Sequence, residues 1–217
     1  MLYSMLVSVS LGVVLVTLWY AAFHRLDRIR ARRVLSWLQD SISARGEITD
    51  IEWVGTSLLR ARVQLPGCGF RHPALEARMA PRETPVRWLL WVWHSRRETL
   101  QFEADLVVPP LHTLEIGRTR YTGLTRRWAR GLKDWPTHPL PSLFISTQPE
   151  WQPEISSRLS SVVSVRDYNF LSVSFRTRPP HFTVTFALAE TLAQRTDGPT
   201  IFDSLRLLAE SSPTSRP

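Results

Sequence analysis

The sequence predicts an α+β protein: one N-terminal transmembrane helix followed by a mainly antiparallel-sheet domain with flanking helices. Three observations predict it. Residues 1–23 carry no charged side chain. Several later segments alternate apolar and polar residues, the period-two pattern of half-buried strands. Those strand candidates follow one another across short turns, which favours antiparallel pairing.

The first element is the anchor. Crossing the hydrocarbon takes about 20 apolar residues, and the uncharged run has 23. A cleaved secretory signal fits badly, because no basic segment precedes the run and no small-x-small cleavage site closes it. His24, Arg25, Arg28, Arg30, Arg32 and Arg33 follow directly, with Asp27 the only acid among them. By the positive-inside rule this places residues 24–217 in the cytoplasm of a single-pass inner (cell) membrane protein. Trp19, Tyr20 and Tyr3 stand near the two ends of the span, where interfacial aromatics belong. Ser4, Ser8 and Gly12 recur every four residues on one helical face. Small residues at that spacing allow another membrane helix to approach closely. Serines that satisfy their own backbone give the same pattern, and the sequence leaves both readings open.

Residues 24–46 continue in helical rhythm as a juxtamembrane basic helix. Leu26, Ile29, Val34, Leu38 and Ile42 form its expected buried stripe, and Gly46 its stop. Anchor and stripe fit one continuous helix. Residues 47–130 then read as a first β-rich lobe. Ile48–Trp53 is a strand candidate, and Leu59, Ala61, Val63 and Leu65 alternate with Arg60, Arg62 and Gln64. Pro66-Gly67 breaks this run, and a loop is expected through Pro73. Val86–His94 is the most apolar soluble stretch. Period alone does not separate a buried strand from a short helix beginning near Pro85; the strand is the favoured reading. Leu100, Phe102, Ala104 and Leu106 give another alternating strand, and Leu114–Gly117 a further one.

Residues 131–141 hold Pro136, Pro139 and Pro141 and read as a linker. Residues 142–210 read as a second α+β lobe. It has a short strand at Leu143–Ser146 and a helix from Pro149 with the stripe Ile155, Leu159, Val162 and Val163. A hairpin follows, with Leu171, Val173 and Phe175 matched to Phe182, Val184, Phe186 and Leu188 around Pro179-Pro180. A last helix is expected from Thr200, with Asp203 completing a capping box and Ile201, Phe202, Leu205 and Leu208 buried. Residues 211–217 form a tail. Ser36, Leu38, Ser43 and Arg45 recur as Ser157, Leu159, Ser164 and Arg166, too thin an echo to establish a duplication. The two lobes either share one sheet or form two subdomains.

The chain has 217 residues, 43% hydrophobic and 21% charged, which suits one globular domain plus an appendage. Its single cysteine, Cys68, rules out a disulfide scaffold, and one apolar run rules out a multi-span transporter. Of 27 basic residues only Lys133 is a lysine. A high-GC genome gives that bias without any function. Residues 1–130 hold 19 basic and 11 acidic side chains, whereas the rest of the chain is balanced.

Two arginine clusters are the candidate contact residues. Arg25, Arg28, Arg30, Arg32 and Arg33 stand where anionic lipid headgroups are. Arg118, Arg120, Arg126, Arg127 and Arg130 interleave with Tyr121 and Trp128. This second set reads as a solvated basic face, or as a contact for lipid or an acidic partner. Nucleic acid is disfavoured, since no recognition motif accompanies the charge. Trp88, Trp91 and Trp93, flanked by Arg87, Arg96 and Arg97, fit strand packing, a headgroup-level patch or a subunit contact.

The search for chemistry finds no zinc-ligand spacing, phosphate loop or nucleophile elbow. No catalytic, metal or cofactor residue is assigned. The favoured function is a non-catalytic accessory or scaffold subunit of a larger integral-membrane complex. A tethered cytoplasmic binding or sensor domain comes second, and an enzyme with a dispersed site third.

Overall fold

The computed structural model describes residues 2–43, 45–55, 57–67, 69–82, 84–94, 96–118, 137–139, 143–147 and 170–193, with 202, 203, 205, 206 and 209. It has one long apolar N-terminal helix and an antiparallel sheet with flanking helices, an α+β arrangement.

Helix α1 runs Leu2–Ser43 without a break. At 1.5 Å rise it is about 63 Å long, and its uncharged part alone covers about 33 Å, enough for the hydrocarbon. Its far half belongs to the core: Val34, Leu38 and Ile42 are buried. Leu26 and Ile29, expected on the same stripe, are exposed. The buried face instead continues upward through Asp27, seven residues from Val34 and so on the same side of the helix.

The strands are β1 Glu47–Val54, β2 Leu58–Gln64, β3 Phe70–Arg78, β4 Thr99–Leu106, β5 Leu114–Arg118, β6 Thr137–Pro139, β7 Leu143–Thr147, β8 Phe170–Phe175 and β9 Phe182–Ala187. They form one sheet in the order β1-β2-β3-β4-β9-β8-β5-β7-β6. The β8–β9 hairpin therefore inserts between β4 and β5, so the two expected lobes share a sheet. The edge strand β6 falls within the segment expected to be a linker.

One face is apolar. Ala61, Leu75, Phe102, Val184, Val173 and Ile116 lie side by side across β2, β3, β4, β9, β8 and β5. The Phe102 ring meets Phe70, Phe182 and Phe202 edge-on, with centroids 5.3, 6.2 and 6.3 Å away. Phe202 and Leu205, both helical, join Val34, Leu38 and Ile42 in this core. Just beyond α1, Arg45 forms a two-pronged ion pair with Asp203. Thr200, the expected capping partner of Asp203, lies outside the described residues. So do the helix expected from Pro149 and the second copy of the sequence echo.

Four further readings are corrected. Val86–His94 is not a strand: Pro85–Trp93 forms helix α2, with Pro85 at its first turn. The loop expected through Pro73 ends earlier, because β3 starts at Phe70. A register shift between Arg71 and Ala74 takes up Pro73. Leu188 is not a strand residue but the first of helix α3, Leu188–Ala193. The tryptophans Trp88, Trp91 and Trp93 are not core packing, since α2 buries none of its residues.

Candidate membrane-proximal site

Strand register defines two ends of the sheet. Val54 pairs with Leu58, Leu58 with Arg78, Arg78 with Thr99 and Thr99 with Ala187. At this end the chain leaves β3 through Ala80–Arg82, forms α2 and re-enters at Glu98. The apolar run of α1 ends at the same place, because the Trp19 indole N–H donates to the Arg82 carbonyl at 3.0 Å.

A charged cluster sits beneath that contact. Glu98 is only 8% exposed and Asp27 7%. Burying carboxylates so deeply requires partners. Arg30 of α1 reaches Glu98 at 2.9 Å. Arg82 reaches Glu98 at 3.2 Å and lies 3.8 Å from Asp27. The Ala80 backbone N–H donates to Glu98 at 3.3 Å. The Glu98 carbonyl in turn accepts from the Leu188 N–H, at the start of α3, at 3.0 Å. Two acids and two arginines cancel, so the cluster clamps α1 to the sheet without adding net charge.

Helix α2 leans on α1 through Trp88, whose ring meets Trp19 edge-on at 5.6 Å, while Trp19 also packs on Phe23 at 4.4 Å. Trp91, one turn on, is also half-buried. Val86, Leu89, Leu90, Val92 and Trp93 are exposed, Trp93 by 83%. Arg87, Arg96 and Arg97 are exposed around them. Arg97 also reaches Glu190 of α3 at 3.2 Å.

The other predicted contact residues separate as follows. Arg25, Arg28, Arg32 and Arg33 are exposed on α1, whereas Arg30 turns inward to Glu98. Ser8 and Gly12 lie on the exposed part of α1, and no atom approaches within 4 Å of a Cβ built on Gly12. Ser10 and Thr17 return their hydroxyls to their own helix, to Leu6 and Val13 carbonyls at 2.9 and 2.8 Å. The Ser4 side chain, the Arg118 side chain, Arg120, Arg126, Arg127 and Arg130 lie outside the described residues. Arg82, Glu98 and Asp27 escaped the sequence reading, because they meet only once the chain has folded. The lone acid Asp27 within a run of arginines was the one local hint.

The opposite face of the sheet is polar. Arg60 and Arg78 flank Glu76 at 3.1 and 2.5 Å. Burial pushes the Glu76 carboxyl up, but hydrogen bonds from Arg78 and Arg60 outweigh it and hold it below its ordinary value. Glu115 is pushed up by burial, with Arg176 opposing at 4.0 Å. Among the described residues no three of His, Cys, Asp and Glu gather as metal ligands would. Compared with known proteins, the chain matches no family model and no curated sequence.

Proposed function

We propose that this chain is a single-pass, membrane-anchored, non-catalytic accessory or scaffold subunit of a larger integral-membrane complex. Residues 24–217 stand in the cytoplasm, as the arginines after the span favour, and the domain packs on partners or on the membrane surface. One observation carries the reading: the helix that is long and apolar enough to cross the membrane is also the helix that closes the core. A tether for a freely moving sensor domain calls for a flexible linker. Here α1 passes unbroken from the span to Val34, and the Arg30–Glu98 and Arg82–Asp27 contacts fix it to the sheet. Such a joint transmits a defined pose from a partner in the bilayer to the domain surface.

The test is extraction of the native membrane in mild detergent, then sizing with mass spectrometry. Stoichiometric co-migration with integral-membrane subunits supports the reading. Migration as a free monomer sinks it and turns the search to soluble ligands.

A further inference from the structure

Helix α2 has the composition of a core element and the exposure of a surface one. Eight of its nine residues are apolar, Arg87 being the exception, and none is buried. Trp88 and Trp91 turn toward the body of the protein. Val86, Leu89, Leu90, Val92 and Trp93 turn away from it. Among the described residues nothing packs on that outer face. A contiguous apolar face of this kind marks a contact with another protein or a membrane.

Three observations favour lipid. The helix that carries this face stands beside the end of the uncharged run, because its inward Trp88 rests on Trp19 of α1. The charge within the stretch is basic: Arg87, Arg96 and Arg97 occur between Thr84 and Arg97 with no acid among them, Glu98 beyond them is buried, and Arg97 shares its charge with Glu190 of α3. Arg25, Arg28, Arg32 and Arg33 of α1, which follow the uncharged run, are exposed as well. Finally, nine helical residues extend about 14 Å, too short to cross a bilayer. Tryptophan-rich helices with arginine borders lie in the headgroup boundary instead.

We infer that α2 is a second membrane-contacting element, bedded through Leu89, Leu90 and Trp93 in the leaflet on the domain's side, with anionic phospholipid headgroups at Arg87, Arg96 and Arg97. The inference rests on α1 spanning the bilayer and is independent of whether a partner subunit exists. With α1 it gives the domain two points of attachment, which fix its tilt as well as its distance from the membrane.

The experiment places an environment-sensitive fluorophore on single cysteines in the full chain, in a Cys68→Ser background. The protein is reconstituted in vesicles of phosphatidylcholine and phosphatidylglycerol carrying shallow or deep spin-labelled lipid quenchers. Leu90→Cys and Trp93→Cys report on α2. Val14→Cys reports on the span. Val107→Cys is the control, being equally apolar and exposed but just past the far end of β4, about 25 Å away. All four positions are exposed, so labelling leaves the core intact. The expected result is a blue shift at 90 and 93 with quenching several-fold above that at 107, strongest with the shallow quencher, and deep quenching at 14. Quenching at 14 with 90 and 93 matching 107 overturns the inference and leaves the span standing. No quenching at 14 removes the span as well. In native membranes, a blue shift at 90 and 93 without lipid quenching means that a protein covers α2, which also overturns the inference.

Discussion

Trp19 and Arg82 are joined by a 3.0 Å hydrogen bond from the indole N–H to the backbone carbonyl, so the end of the apolar run is fastened to the loop that opens α2. The same residue, Arg82, turns its guanidinium down to Glu98 and Asp27. One arginine thus links the anchor, the sheet and α2. Its backbone and side chain act on opposite sides of the joint.

Glu98→Gln tests that joint. The carboxylate serves Arg30, Arg82 and the Ala80 N–H from a position that is nearly dry. Removing its charge takes the carboxylate partner from Arg30 and leaves Arg82 with Asp27 at 3.8 Å. A fully buried pair broken this way costs about 3–5 kcal/mol. The Arg30 side chain is 35% exposed, and water screens part of that loss, so the expected cost is about 2–3 kcal/mol. Urea denaturation in micelles measures it. Arg30→Met in the Glu98→Gln background is expected to cost less than Arg30→Met alone, a coupling that a double-mutant cycle reads directly.

The polar face gives opposite pH signatures at two glutamates. Glu76 is held below its ordinary value when folded, so its contribution to stability is present above the unfolded pKa and is lost as pH falls through the folded one. Glu76→Gln is therefore expected to destabilise by about 0.5–1 kcal/mol at neutral pH, a surface-pair magnitude, and to have no effect in strong acid. Glu115 is raised by burial, so ionising it works against folding as pH climbs from the unfolded pKa through the folded one. Glu115→Gln is expected to stabilise at neutral pH, with the gain vanishing below the ordinary carboxylate range. Melting temperatures of the two variants across acid to neutral pH check both signs.

Where local pattern and tertiary burial agree, the sequence is readable. The alternation in β2 and β4, the Val173–Val184 hairpin and the far half of α1 at Val34, Leu38 and Ile42 bury the residues that the pattern selects. The failures have physical causes. The eight apolar residues of α2 leave no period to read, and only Pro85 signals a helix start. β3 is hidden by Pro66, Gly67, Gly69 and Pro73, the last absorbed by a shift in register. The upper buried face of α1 escapes because Asp27 and Arg30 lie on it, and charge reads as solvent-facing until a partner is known. The clamp is illegible for the same reason. Its members come from α1, the β3–α2 loop and the start of β4, and only the fold brings them together.

Gly46 looked like a helix stop, yet its importance lies in close approach. A Cβ there would stand against the Gln64 carbonyl oxygen, well inside van der Waals contact, and 3.1 Å from a Leu65 methyl. The neighbour is strand backbone and has little room to retreat. Gly46→Ala is expected to cost about 1–3 kcal/mol by overpacking the turn from α1 into β1. Thermal unfolding of the variant checks it, and Gly55→Ala, at a positive φ in open space, is expected to cost about 1 kcal/mol through backbone strain alone.

Gly12 poses the contrasting case, and it bears on function. Nothing in the chain approaches within 4 Å of a Cβ built there, and the surrounding part of α1 is exposed. Gly12→Leu should therefore leave the fold within about 0.5 kcal/mol of the parent, as surface substitutions do. If a second membrane helix packs on the Ser8–Gly12 face, the added side chain holds the two backbones apart, and the small-residue contact is lost. The expected outcome is an unchanged melting temperature for the domain with loss of co-migrating membrane subunits on the sizing column. Ser8→Leu should behave alike, while Leu11→Ile, a change of shape on a neighbouring face, should keep the complex. Retention of the complex by both Gly12→Leu and Ser8→Leu would remove this face as the contact and move the subunit interface to another side of α1 or to the domain.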